Sequence, residues 1–96
     1  MNHAILIIKI ITNPVHLIYN DHHTIEIGVQ FAAPIQKNFK NELTLILWGD
    51  HRDDFLRYYK TQDYLVIEGL MTSKGYKSDQ TQLKIVARCM YPFLLH

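Results

Sequence analysis

The chain has 96 residues, 48% of them apolar and 20% charged, with a net charge of +1. That is enough material for one packed core and too little for a second, so a single domain over 1–96 is expected. The near-neutral balance excludes a globally basic nucleic-acid binder, so any electrostatic footprint has to be local. Three prolines and an absence of Ser/Gly-rich tracts exclude a disordered or low-complexity chain.

The apolar run Ala4–Ile11 is interrupted by Lys9 and stops at Asn13-Pro14. It is too short to cross a bilayer or to serve as a secretory segment, so a soluble protein with no membrane partner is expected. Its Ala4-Ile5-Leu6-Ile7-Ile8-Lys9-Ile10-Ile11 pattern is β-branched and apolar on both alternating faces, as in a strand covered on two sides. Alternation sends Ala4, Leu6, Ile8 and Ile10 to the core and leaves Ile5, Ile7 and Ile11, beside His3 and Lys9, on the other face. A short segment to Tyr19 then leads into a polar turn, Asn20-Asp21-His22-His23.

Thr24–Phe31 alternates apolar Ile25, Ile27, Val29 and Phe31 with polar or small residues, which predicts a half-exposed second strand, with Gly28 marking a bend where a sheet curls toward closure. Ala32–Asn41 reads as a loop and Leu43–Trp48 as the third strand. Between Asp50 and Asp63 the period changes, with Phe55, Leu56 and Tyr59 at helical spacing, and Asp50, Asp53 and Asp54 are expected to cap the start of one short helix within Asp50–Gln62. Tyr64–Met71 is the fourth strand, Ser73–Thr81 a polar hairpin loop, and Leu83–Met90 the fifth strand. Cys89 has no partner for an internal disulfide, and its apolar neighbours Ile85, Val86 and Met90 fit a buried thiol in a reducing compartment.

Three strands, a helix and two strands is the order of an all-β, five-stranded OB-fold barrel with one short helix between strands 3 and 4. Particular residues sharpen this. Asn2–Ile10 followed by Asn13-Pro14 and Tyr19, then Trp48-Gly49, then Asp63-Tyr64-Leu65-Val66-Ile67-Glu68-Gly69, then Tyr76 and Ile85-Val86-Ala87 resemble, in order and spacing, the bacterial and plastid single-stranded DNA-binding protein family. The short chain and Ile25–Phe31 are similar to its compact subgroup of cyanobacteria and algal plastids. The abundance of Ile, Lys, Asn and Tyr fits an AT-rich organellar genome.

The resemblance has departures. Ile8 stands in place of a glycine, Ile18 in place of the arginine before Tyr19, Gln62 in place of the glycine before Asp63, and one extra residue lies between Pro14 and Tyr19. Glu42 occupies the position where replicative members place a stacking tryptophan, which removes a base platform and repels phosphate. The flexible acidic tail of the family is not found after Phe93-Leu94-Leu95-His96.

The resemblance implies non-sequence-specific binding of single-stranded DNA, with RNA as a second option, by a homodimer or homotetramer supporting replication or repair in the plastid stroma, or alternatively in a bacterial cytoplasm. An accessory OB protein of the primosomal type, acting through protein contacts, is the alternative that Glu42, the neutral charge and the missing tail support.

Sequence-tolerant binding of single strands needs aromatic planes for bases and cations for phosphates. Lys74, Tyr76 and Lys77 in the hairpin between the last two strands, and Lys37, Phe39 and Lys40 in the loop before the third, meet that need. Trp48 is a further candidate, although a strand-end aromatic more often packs than stacks. Lys84, with Lys9, Arg52 and Arg88, is an outward candidate for phosphate contact. Ile5, Ile7, Lys9 and Ile11 are the expected subunit interface, since the apolar second face of strand one is adhesive.

No Gly-rich phosphate loop or nucleophile motif is present, so no enzyme activity and no cofactor are expected. Adjacent His22 and His23 point apart on a strand or turn, and no metal site is expected.

Overall fold

The computed structural model describes residues 2–33, 41–76 and 80–93, with the backbone alone described at 73–76 and 80–82. Its elements are β1 (Asn2–Ile10), β2 (Val15–Tyr19), β3 (His22–Phe31), β4 (Glu42–Trp48), α1 (Gly49–Tyr58), β5 (Tyr64–Tyr76) and β6 (Gln80–Pro92). Following the hydrogen bonds gives β1-β5-β6-β4-β3, and β3 pairs back to β1, so five strands close into a barrel while β2 hangs on the outer edge of β3. This is the OB barrel, with its helix between the third and fourth barrel strands.

Alternation builds the interior. Ile8 and Ile10 from β1, Ile25, Ile27 and Val29 from β3, Leu43, Leu45 and Leu47 from β4, Leu65 and Ile67 from β5, and Ile85 and Ala87 from β6 are all buried. Each of the five barrel strands sends alternate side chains inward, as a closed barrel requires. The helix lies against β3, β4 and β6 and contributes one plug, Phe55, which is 2% exposed. Burying a side chain of that size contributes about 1.5–3 kcal/mol. Of the other helical apolar residues expected to pack, Tyr59 joins the core cluster, whereas Leu56 stays 41% exposed.

Closure happens at Gly28. β1 and β3 pair at Ile8–Ile10, and just beyond, the Ile11 and Thr12 N–H groups both donate to the Gly28 carbonyl. Thr12 folds over the glycine, its Oγ1 accepting from the Gly28 N–H at 2.8 Å. The expected bend at Gly28 is thus the seam of the barrel.

Several expectations need correction. The stretch before Tyr19 is a strand, paired with β3 through the two-residue turn Asn20–Asp21 at φ 46° and 65°, the left-handed geometry that suits the strand twist of a hairpin. The hairpin predicted as a loop over Ser73–Thr81 is mostly ladder, since Ser73–Tyr76 pair with Leu83–Gln80. Polar hairpin arms need no core to satisfy their backbones, because they pair with each other.

The helix starts at Gly49, and its N-cap, Trp48, makes no side-chain cap bond. Only Asp50 falls in the first turn, whereas Asp53 accepts from Arg52 at 3.0 Å. Asp63 instead organises the exit, accepting from the Lys60 N–H at 3.0 Å. Gln62, where the family has glycine, adopts φ 78°, a backbone conformation that favours glycine. Cys89 is half-buried rather than buried, because it lies opposite the outward Glu68.

Candidate nucleic-acid interface

The outer surface of β3 and β4, extended by β2 on one side and β6 on the other, is where alternation leaves chemically useful side chains. Register fixes their places. Tyr19 lies opposite His22, Leu17 opposite Thr24, and Val15 opposite Glu26. Across the next pair, Thr24 is level with Trp48, Glu26 with Ile46, Gly28 with Thr44 and Gln30 with Glu42. The parallel β4–β6 pairing then sets Thr44 level with Lys84 and Ile46 with Val86.

One end of this face is aromatic. Trp48 is 54% exposed and Tyr19 68% exposed. Trp48 has extended backbone at φ −145°, ψ 166°, so it continues the outward alternation of β4 before the chain turns into α1. His22 stands beside it in a T-shaped arrangement, at 6.5 Å between centroids and 68° between planes, a favoured aromatic pairing. Trp48 is therefore not a core residue, whereas a strand-end aromatic more often is.

The other end is acidic, with Glu42 exposed at the start of β4. Between the ends, Lys84 Nζ lies 3.6 Å from Glu26 Oε1. The middle, around Ile46 and Val86, is half-buried and apolar.

Tyr76 and Lys74 sit at the end of β5 in the hairpin that rises beside β6; only their backbones are described. Lys77, Phe39, Lys37 and Lys40 lie outside the described residues. The loop holding the last three joins β3 to β4 at the end of the face that carries Gln30 and Glu42. The remaining cations are not gathered here. Lys9 stands over the Tyr64 ring at 5.8 Å on the β1–β5 surface, and Arg52 on the helix is engaged with Asp53 at 3.0 Å. Arg88 is the extra residue of a bulge in β6, opposite the step from Glu68 to Gly69, and its carbonyl accepts from His51 Nε2 at 2.9 Å.

Sequence reasoning passed over Tyr19 and His22 as part of this face. The available signal was the spacing: two residues of turn between two extended runs put Tyr19 and His22 opposite each other. His23, one residue on, pairs with Ile18 on the other face.

A second surface forms on β1 and β5. Ile5 is 67% and Ile7 41% exposed, and they lie level with Glu68 and Val66. Tyr91, opposite Val66 on β6, is 54% exposed. A hydrogen bond with Cys89 raises the Tyr91 hydroxyl above its ordinary pKa, with the thiol's charge and desolvation acting in the same direction. His3 Nε2 lies 3.3 Å from Glu68 Oε1 in the same patch. Ile11 follows the end of β1 and is half-buried. Of Phe93, Leu94 and Leu95, the chain's own alternative cover for this patch, Phe93 is half-buried with its N–H donating to the Tyr64 carbonyl at 3.1 Å, and the two leucines lie outside the described residues.

No family model matches the chain. Among solved structures, it superimposes on the second single-stranded DNA-binding protein (SSBb) of Mycobacterium smegmatis with a TM-score of 0.76 at 19% identity, covering 97% of this chain and 87% of that one. The SSB domain of a Synechococcus protein gives 0.75 at 20% identity, over 95% and 94%. A small single-stranded DNA-binding protein of Streptomyces coelicolor gives 0.76 at 13%, over 97% and 93%. These likenesses establish the fold. In sequence, the chain is 31% identical over 103 residues to the "Putative single-stranded DNA-binding protein ycf41" of Trieres chinensis, spanning 99% of this chain and 91% of that protein. An identity of that size over nearly the whole of both chains, on an OB barrel shared with bacterial relatives, means that the chain belongs to the bacterial and plastid single-stranded DNA-binding protein family, in the compact plastid group that includes ycf41.

Proposed function

We propose that this protein binds single-stranded DNA without sequence preference and without catalysis, across the outer face of β2, β3 and β4. The observation that carries the reading is the pair of open aromatic rings, Trp48 and Tyr19, on one face of three adjacent strands. Every base has a π-face, so stacking on such rings is sequence-tolerant. Lys74 and Tyr76 at the end of β5, Lys77 just after them in sequence, and Lys37, Phe39 and Lys40 in the sequence between β3 and β4 complete the reading, the lysines for phosphates and the aromatics for bases. RNA shares the π-faces and phosphates and is the second ligand in this reading. A plastid setting and a part in replication or repair belong to the same reading.

Titration of the protein against labelled oligo-dT at several salt concentrations tests the reading. Saturable binding that weakens with salt, and is tighter for single strands than for duplex, is the expected result. Folded protein that ignores single strands at low ionic strength would instead favour the accessory reading, protein contacts alone, to which the exposed Glu42 on this face also lends weight.

The β1 surface suits self-association as a homodimer or homotetramer. Ile5 and Ile7 stand out of a strand whose other face is core, and burying each could contribute up to about 1.5–3 kcal/mol. Lys9 and Ile11 would flank the contact. Light scattering should give a dimer or tetramer at tens of micromolar, and Ile5→Asp should shift it to monomer with the fold intact; a monomeric wild-type protein would defeat this assignment.

A further inference from the structure

Resting on the reading of this face as a nucleic-acid surface, we propose that Glu26 is a built-in competitor of the bound strand: its carboxylate holds the Lys84 ammonium that would otherwise meet a phosphate, and so sets the affinity down. The two residues come from strands that are not neighbours. β4 runs between β3 and β6, and the pair reaches over it. Lys84 is level with Thr44 and Glu26 with Ile46, so the 3.6 Å contact crosses β4 on the diagonal. The ion pair therefore lies across the middle of the proposed face, beside the apolar Ile46 and Val86.

The pair is also open to exchange. The side chains of Lys84 and Glu26 keep 37% and 27% of their surface exposed, and an ion pair so wetted contributes little to folding. Where β3, β4 and β6 run level, over Thr24–Gln30, Glu42–Trp48 and Lys84–Val86, Lys84 is the cation and Glu26 and Glu42 are the carboxylates, with Arg88 further along β6 at its bulge. A phosphate arriving at Lys84 thus replaces one anion with another. The strand gains only the difference between the two contacts, and the displaced carboxylate is left close to the phosphate. Glu26 weakens binding at this point without occupying any base site, which leaves stacking on Trp48 and Tyr19 to carry more of the affinity.

The test is a double-mutant cycle read by titration of labelled oligo-dT at several salt concentrations, with E26Q, K84Q and the double variant beside the wild type. E26Q is expected to bind about three- to fivefold tighter at low salt. The slope of log affinity against log salt should steepen by about 0.7, the signature of one added phosphate contact on a single strand. K84Q should cost more in the E26Q background than in the wild type. Thermal melts should change little with E26Q, since the substitution is isosteric and the pair it breaks is open to solvent at the lysine. If E26Q binds no tighter than wild type, or if the double variant keeps the E26Q gain, this role for Glu26 is overturned while the binding face stands. If neither folded wild type nor folded E26Q binds oligo-dT, both fall together.

Discussion

Gly69→Ala is expected to destabilise the protein by about 3 kcal/mol or more, enough to take away a large part of the stability of a small domain. Gly69 sits at the bulge where β5 shifts its register against β6, pairing with Ala87 while Glu68 pairs with Cys89. An added Cβ would run into the Val86 carbonyl oxygen, with the Val86 carbonyl carbon 2.9 Å and Ala87 Cα 3.0 Å away. Every obstacle is backbone, so no rotamer change relieves the clash; the two strands must separate, and the β5–β6 ladder is the longest in the barrel. Gly28→Ala is the control. The atoms nearest its Cβ would be those of the Thr12 side chain, at 2.9 Å from Cγ2 and 3.0 Å from Oγ1, and a side chain can rotate aside for the loss of one hydrogen bond, about 1 kcal/mol. Urea midpoints compared at constant m-value measure both, and equal losses at the two sites would show that close backbone contact at Gly69 is not what demands glycine.

The contrast between these glycines reflects what could be read from the chain alone. The barrel strands were legible because their inward positions are Ile, Val and Leu without exception in the buried stretches of β3 and β4. Gly28 could be recognised as a bend, but not the threonine that covers it, because Thr12 is distant in sequence and brought near only by closure. β2 was missed for a physical reason: as an edge strand it exposes Val15, Ile18 and Tyr19 and buries nothing fully, so it has no inward face to give it a period. The hairpin arms of β5 and β6 escaped notice because Ser73–Tyr76 and Gln80–Gln82 carry no apolar alternation in the sequence, while their backbones pair with each other.

For the candidate site, alternation from the core residues correctly sends Glu42 and Trp48 outward. It cannot say whether a large ring at a strand end folds over or stands free, since that depends on His22 arriving from β3. The Glu26–Lys84 contact was invisible, because a parallel β4–β6 pairing between strands far apart in the chain decides which residues are level.

Trp48→Ala should weaken binding of oligo-dT by about 1–3 kcal/mol, roughly 5- to 150-fold in Kd. The magnitude follows from exposure. A tryptophan that is 54% exposed leaves aromatic surface for a base, and its removal takes away that contact while leaving Leu47 and Phe55, the nearest buried residues before and after it in the chain, in place. Stability should therefore change far less than affinity, the opposite of the Gly69 result.

Tyr19→Ala should act in the same direction. Tyr19 is 68% exposed on an edge strand that contributes no fully buried residue, so its loss costs the fold even less. The rings are carried by β2 and β4, on either side of β3, with His22 between them. If one strand of nucleic acid lies over both, the losses should be close to additive, and what remains in the double variant should be the more salt-sensitive part of the binding. Trp48 is the sole tryptophan in the chain, so quenching of its fluorescence on adding oligo-dT to the wild type reports a base at this ring directly. Unquenched fluorescence at saturation, with both alanine variants binding as tightly as wild type, would move the strand off this face altogether.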